Sequence, residues 1–197
     1  MLKPNSVSAL AQRLRRGEAV PLGEIFSFLS ALYFRGKLAY ARAFAQPPPG
    51  ATGVLIITPT AGLLPHDAPI QLSRLRGFAR VPISQKHSLY RRSLLRDAKK
   101  LAAQLDPDCE IVLLGSIASG KYLGILTGAL GERLRVPEDF IGMGDMQRGA
   151  LLLRCVQDKR ELRYIEVAGI TGRLAKAQTP IQLTPPTLRV TTDRYTS

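Results

Sequence analysis

The stretch CEIVLLGSIASGKYLGILTGALG, residues 109–131, decides the fold, because it joins an apolar run to an apolar helix through a loop of small residues. Residues 111–114 form a continuous apolar run, which is typical of a strand buried on both faces. Residues 115–120 contain only glycine, serine, alanine and one isoleucine, and residues 121–130 are predicted to form a helix. A strand that leads through such a loop into a helix is a building unit of α/β proteins.

Helix and strand signals alternate along the rest of the chain. Apolar residues at helical spacing predict three further helices, at 8–16, 24–45 and 84–105. Gly36 is expected to break or bend the second of them. Apolar runs predict two further strands, at 54–57 and 133–137.

The last third of the chain predicts a hairpin and a tail. ALLLRCV (150–156) and ELRYIEV (161–167) are separated by QDKR, which indicates a β-hairpin. We therefore predict an α/β fold with three layers, Rossmann-like, with a mostly parallel sheet and an antiparallel edge hairpin. Residues 1–175 are expected to form one domain with N-terminal helices, and 176–197 an extended tail rich in Thr and Pro.

Composition points to a negatively charged partner. The chain of 197 residues has 28 Lys and Arg against 15 Asp and Glu, a net charge of +13. Such an excess favours nucleic acid, a nucleotide or an acidic surface as partner, although solubility alone is an alternative. We expect no metal site, since the cysteines and histidines lack ligand spacing. The absence of a signal sequence or an apolar run of membrane-spanning length predicts a cytoplasmic protein without membrane contact.

The loop GSIASGK, residues 115–121, has the components of a phosphate site. Glycines allow a ligand to approach the backbone, hydroxyls and helix-start amides donate to oxygens, and a lysine adds charge. Tyr122 replaces the Ser or Thr that would hold magnesium in a nucleotide triphosphate loop, so no NTPase is predicted. A plain strand-to-helix turn is the alternative. The candidate ligand-binding residues are Gly115, Ser116, Ser119, Gly120 and Lys121.

Two other polar segments are candidates for ligand binding or catalysis. TPTAGLLPHD (58–67) follows a predicted strand and offers Thr58 and Thr60 to a ligand and Asp67 as an acid–base carboxylate. GMGDMQRG (142–149) offers Arg148 to a phosphate and Asp145 as a second acid–base carboxylate. A local Asp–Arg pair that fixes the loop explains the latter segment equally well.

A basic segment lies between residues 71 and 100, where nine Lys and Arg accompany one acid, Asp97. This imbalance favours contact with a phosphate backbone, with Tyr90 stacking on a base, over an ordinary solvated helix face. In ALYFRGK (31–37) the aromatic residues are predicted to be core, although a pocket lining is an alternative. The candidate nucleic-acid contacts are Arg91, Arg92, Arg96, Lys99 and Lys100.

SALYFRGKLAYARAFA (30–45) followed by VLIITPTAGLLPHDAPI (54–70) resembles a pattern in an uncharacterised conserved bacterial protein family. These proteins are similar to the Rossmann-like cores of YaaA-type and uracil-glycosylase-like enzymes that handle nucleobases and nucleotides. The shared features are Leu-Tyr before a helix and a strand that ends in a Gly-Leu-Leu turn with Pro and Asp close behind. The resemblance implies an α/β fold and a nucleotide-like ligand.

The sequence leaves three functions open. The first is a cytoplasmic protein that binds nucleic acid or a nucleotide through the basic helix and the strand-end loops. The second is an enzyme that hydrolyses or transfers a glycosidic bond of a nucleotide or phosphorylated nucleoside. The third is a structural or assembly protein for an acidic partner. No nucleophilic triad or cofactor motif decides among them, so whether the protein is an enzyme stays open.

Overall fold

The computed structural model describes residues 8–117, 121–167 and 187–192. The helices in these residues are α1 Ala9–Arg15, α2 Leu22–Leu29, α3 Ala31–Phe44, α4 Leu72–Ala79, α5 Ser88–Gln104, α6 Leu123–Leu130 and α7 Asp145–Gln157. The strands are β1 Val20–Pro21, β2 Val54–Thr58, β3 Gly62–Pro65, β4 Pro69–Ile70, β5 Cys109–Leu113, β6 Leu134–Pro137, β7 Tyr164–Glu166 and β8 Thr187–Thr192. Short 3-10 turns at Gly131–Arg133 and Glu138–Phe140 flank β6.

The main sheet has six strands in the order β3-β2-β8-β5-β6-β7, and β1 pairs with β4 in a separate antiparallel ribbon. Within the described residues, only β5 and β6 are parallel neighbours in the main sheet. The prediction of a mostly parallel, Rossmann-like sheet is therefore wrong. Every residue of β2 is buried, but an apolar run indicates burial on both faces and does not determine the direction of the neighbouring strand.

The strand β8 separates β2 from β5. Leu188 lies opposite Leu55 of β2 and Leu113 of β5, and both pairings are antiparallel. The sequence placed these residues in an extended tail because Thr, Arg and a nearby Pro-rich segment lower the mean hydropathy. Arg189 is nevertheless 2% exposed. Its guanidinium donates to the Tyr164 hydroxyl at 2.8 Å and forms an ion pair with Glu161.

The helix α7 replaces the first strand of the predicted hairpin. Gly144 N–H donates to the Gln147 side chain at 3.1 Å at the helix start. Leu151, Leu152 and Cys155 are buried at the spacing of one helical face. The hairpin prediction is therefore wrong, and β7, from its second segment, instead pairs antiparallel with β6. A short apolar run of this kind does not distinguish a strand from a buried helix.

Helices cover both faces of the main sheet. Ile56 of β2 belongs to the same apolar cluster as Phe34 of α3, whereas Leu55, its neighbour, lines a cleft together with Leu101 of α5. Successive strand residues point to opposite faces, so α3 and α5 lie on opposite sides of β2. Since β2 and β5 are both antiparallel to β8, and β6 is parallel to β5, these three strands end at one edge. We call it the carboxyl edge.

Candidate functional site

Two glycines bring α3 and α7 into backbone contact. A Cβ atom on Gly36 would lie 2.7 Å from the carbonyl oxygen of Gly149, and one on Gly149 would lie 2.9 Å from the Cα of Tyr33. No larger residue fits without a shift of one helix. The sequence suggested that Gly36 breaks or bends the helix. Gly36 instead lies within α3 and allows α7 to approach. The contact places Lys37, which follows Gly36, near the polar residues at the start of α7.

Arg148 of α7 is anchored at the carboxyl edge. Its side chain is 7% exposed. One Nη donates to the carbonyl oxygen of Phe140, just beyond β6, at 3.0 Å. The other Nη lies 3.3 Å from an Oδ of Asp145. The guanidinium also lies 5.5 Å from the centre of the Phe140 ring, so it is held on three sides.

Lys37 of α3 is completely buried. Its Nζ lies 4.0 Å from the ring centre of Tyr33 and 5.7 Å from that of Phe34, where the faces of both rings favour a cation. Burial lowers the pKa of Lys37 to about 7, while Asp145 raises it and Arg148 lowers it further. At neutral pH the amine is therefore a mixture of charged and neutral forms, which is the range useful for proton transfer.

The loop between β5 and α6 is stabilised by a hydrogen bond between two of its own residues. Gly115, Ser116 and Tyr122 are buried. The Tyr122 hydroxyl donates to the carbonyl oxygen of Ser116 at 2.9 Å. Lys121 is half-buried at the start of the turn that leads into α6. The candidate residues Ser119 and Gly120 lie outside the described residues.

Several buried polar atoms at the carboxyl edge have no hydrogen-bond partner in the described structure. They are the Tyr33 hydroxyl, the Tyr90 hydroxyl, Nε of Arg148 and Oγ1 of Thr187. Thr187 is placed there because its carbonyl oxygen accepts from Leu114, just beyond β5, at 2.9 Å. A buried polar atom left without a partner costs about 1–3 kcal/mol. Nδ1 of His66 and of His87 and Nε of Arg189 also lack a partner in the described structure, but the four at the carboxyl edge lie where one bound group can complete several of them.

Burial is also the main cause of the altered pKa values of the tyrosines. It raises the pKa of the Tyr33 hydroxyl well above its usual value, and the nearby Arg148 offsets only part of this effect. Burial likewise raises the pKa of Tyr90, and Tyr122 lies close enough to raise it further. Both hydroxyls are therefore neutral at physiological pH and can donate a hydrogen bond to an anion.

The other strand-end residues have structural partners. Thr58 is buried; its hydroxyl donates to Gly62 O at 3.0 Å and accepts from Ala61 N–H at 3.1 Å. The carbonyl oxygen of Thr60 accepts from the Ser93 hydroxyl of α5 at 2.9 Å. Thr58 therefore stabilises the turn between β2 and β3 itself, and Thr60 ties that turn to α5.

Asp67 is exposed and lies far from the other candidate carboxylate. It follows Pro65, which pairs with Leu55 at the beginning of β2. Asp145 begins α7, where it contacts Arg148 at the carboxyl edge. The structure therefore brings Asp145 and Arg148 together and leaves Asp67 at the opposite edge.

The five basic residues predicted on α5 are all exposed. Arg96 forms an ion pair with Asp97 at 2.7 Å, and an Asp97 oxygen also accepts from Leu63 N–H at 3.0 Å. Tyr90 is buried, so the prediction that it stacks on a base at the surface is wrong. The exposed residues are Arg91, Arg92, Arg96, Lys99 and Lys100.

A cleft of about 730 Å³ lies away from this site, between residues 48–52 and the second half of α5. Its floor is apolar, from Leu55, Leu63 and Leu101. It contains none of the buried cations described above. The cleft is also lined by Asp97, Lys100, Gln104 and Asp106, but it does not include the unpartnered buried hydroxyls of the carboxyl edge.

Comparison with protein-family models, curated proteins and solved structures finds no match to this chain. The resemblance to YaaA-type and uracil-glycosylase-like cores therefore stays a prediction. Among residues 8–117, 121–167 and 187–192, no helix combines the length and apolar character needed to cross a membrane. The same residues contain no group of three or more His, Cys, Asp or Glu side chains placed to hold a metal ion.

Proposed function

We propose that this protein is a cytoplasmic nucleotide-binding protein, and that the nucleotide phosphate binds at the carboxyl edge against Arg148 and Lys37. One observation carries the proposal: two buried cations share this edge with buried hydroxyls that have no partner within the described structure. The carboxyl ends of β2, β5 and β6 meet at this edge, so side chains that lie just beyond these strands can converge on one ligand.

The charges at the site match a phosphate better than a neutral ligand. Asp145 interacts with both cations, because it is the carboxylate next to Arg148 and it raises the pKa of Lys37. A phosphate would add to this negative charge and accept hydrogen bonds from Arg148 Nε and the Tyr33 hydroxyl. It would also raise the pKa of Lys37, because an anion stabilises the charged amine.

The test is calorimetric titration with nucleoside 5′-monophosphates, the corresponding nucleosides and inorganic phosphate. We expect the monophosphates to bind, and Arg148→Gln or Lys37→Met to weaken binding at least tenfold. Arg154→Gln is the matched control, because Arg154 lies on the same helix but is exposed. Circular dichroism and thermal melting show whether each variant is folded.

Equal binding by wild type, Arg148→Gln and Lys37→Met would contradict the proposal, as would equal affinity for nucleosides and their monophosphates. Agreement between Arg148→Gln and Lys37→Met also guards against misinterpreting a single unfolded variant.

A second candidate function is cleavage or transfer of a glycosidic bond in the same ligand. It is favoured by the combination of Asp145, a carboxylate, with the lowered pKa of Lys37, since acid–base groups near neutrality mark catalytic sites. Chromatography of a nucleotide incubated with the protein would detect free base. Release that Asp145→Asn abolishes without loss of binding supports an enzyme, and absence of release leaves the binding function.

A further inference from the structure

The exposed side of α5 is a continuous cationic surface. At 100° per residue, Arg91, Arg92, Arg96, Lys99 and Lys100 all fall within one half of the helix circumference. The opposite half carries the buried residues Tyr90, Leu94 and Ala98. We call the five exposed cations the basic face. It extends about 14 Å along the axis, at about 1.5 Å per residue.

The acid on this helix does little to neutralise the basic face. Asp97 has a side chain that is 17% exposed. One of its oxygens accepts from Leu63 N–H, and Arg96 is its ion-pair partner. The other four cations leave this side of the helix with an excess of positive charge, which folding does not require. Such a surface is typical of proteins that bind a phosphate backbone.

The basic face begins beside the candidate site. The first half of α5 is fixed at the carboxyl edge by the hydrogen bond from Ser93 to Thr60 in the β2–β3 turn. Tyr90, on the same turn of helix as Arg91 and Arg92, lies near Tyr122 of the loop after β5. The end of the basic face at Arg91 and Arg92 therefore lies at the same edge of the sheet as the buried cations.

From this placement we infer that the ligand at the carboxyl edge is one nucleotide of a single-stranded nucleic acid whose neighbouring phosphates lie along the basic face. This inference rests on the proposed nucleotide function of the same site. A strand is required because five cations in a row exceed what one mononucleotide can contact. A single strand is required because its flexible backbone can bring one phosphate to the buried cations, whereas a duplex holds its phosphates on the outside of a stiff helix.

The experiment compares a fluorescein-labelled single-stranded 12-mer, the same sequence as a duplex, and a nucleoside monophosphate, at several salt concentrations. The variant is Arg92→Gln with Lys99→Gln and Lys100→Gln. The matched control is Arg16→Gln with Arg42→Gln and Arg154→Gln, which removes the same charge from exposed positions off the basic face. Arg148→Gln tests the buried site.

We expect the basic-face variant to bind the single strand at least tenfold more weakly and mononucleotide within twofold of wild type. The slope of log affinity against log salt should fall by about 2, since each phosphate contact with a single strand contributes about 0.7. Arg148→Gln should weaken both ligands and lower the salt slope for the single strand by about 0.7, the contribution of one phosphate contact. The duplex should bind more weakly than the single strand.

Equal losses in the basic-face variant and the matched control would overturn the inference, because net charge alone would then explain binding. So would a single strand that binds no more tightly than the mononucleotide, a result that leaves the proposed function intact. Strand binding indifferent to Arg148→Gln, without mononucleotide binding, would overturn both. Preferential binding to vesicles of anionic phospholipid would overturn the inference in favour of a membrane surface.

Discussion

At the scale of single residues, Lys37 and Arg148 are the side chains on which the candidate site depends. Arg148 and Asp145 were predicted because a polar segment between glycines can be recognised without knowledge of the fold. Lys37 was considered only as part of an alternative pocket lining in residues 31–37, because Tyr33, Phe34 and Tyr40 around it are typical of a helix core. The useful signal was the lysine itself, since a cation within an apolar helical stripe must be partnered or functional.

The lowered pKa of Lys37 predicts how stability depends on pH. The unfolded chain binds this proton up to about pH 10.4, whereas the folded protein releases it above a pKa of about 7. Between these values the unfolded state holds more protons, so the free energy of unfolding rises with pH. The rise approaches about 1.4 kcal/mol per pH unit. Below pH 7 both states are protonated and this contribution no longer changes.

Urea denaturation of wild type and Lys37→Met from pH 6 to 9.5 measures the effect. The advantage of Lys37→Met over wild type should be greatest at pH 6–7 and shrink toward pH 9.5. Lys99→Met, at an exposed position, should show a constant difference. A constant difference for Lys37→Met as well would mean that its amine titrates normally.

At the scale of elements, the contact between α3 and α7 sets the geometry of the site. The first of these helices lies in the segment 24–45, predicted as one helix, which the structure divides at Ser30 into α2 and α3. The second has a sequence that suggested a strand. The failure has a physical cause: burial of Leu151, Leu152 and Cys155 depends on α3, and local spacing over seven residues cannot show that partner. From the sequence, Gly36 was interpreted as a position where the helix breaks or bends. Its contact with Gly149 lies 113 positions away in the sequence and therefore leaves no local pattern.

Gly36→Ala should destabilise the protein although alanine favours helix formation. The new methyl group would meet the Gly149 carbonyl at 2.7 Å, and overpacking of this kind costs about 1–3 kcal/mol. Gly128→Ala in α6 is the control, since the added Cβ has open space around it and should stabilise by about 0.5–1 kcal/mol. Chemical denaturation of both variants measures the two opposite shifts.

Nucleotide titration of Gly36→Ala tests whether the contact also serves the site. Weaker binding by a protein that is still folded at the assay temperature is expected, because separation of the helices displaces Lys37 from Arg148. Unchanged stability would show that the helices yield without cost and that the close approach is incidental.

At the scale of the whole molecule, the sheet is held together by β8. The helical and apolar periods predicted most of the helices, as well as β2, β5 and β6. They did not predict the order of the strands, which depends on pairing between residues far apart in the chain. Thr187–Thr192 has few apolar residues, and its central place follows from the buried Arg189 network and backbone pairing on both sides.

A proline in β8 should therefore disrupt both halves of the sheet. Val190→Pro removes the N–H that donates to the Gly53 carbonyl at 3.0 Å and places a proline in a central strand, where it interrupts the hydrogen-bond ladder. Hydrogen exchange should show loss of protection in β2 and β5 together. Val190→Thr, which keeps the N–H, is the control. Loss of protection confined to β8 would contradict a sheet organised around that strand.

The position of β8 also has a consequence for synthesis on the ribosome. Translation produces β2 and β3, and later β5 and β6, well before the strand that must lie between the two pairs. Until β8 emerges from the exit tunnel, the nascent chain presents two unjoined ribbons, each with an open edge capable of pairing with another polypeptide. Completion of the main sheet thus waits for β8, and the interval is one in which a chaperone that shields strand edges would raise the yield of native protein.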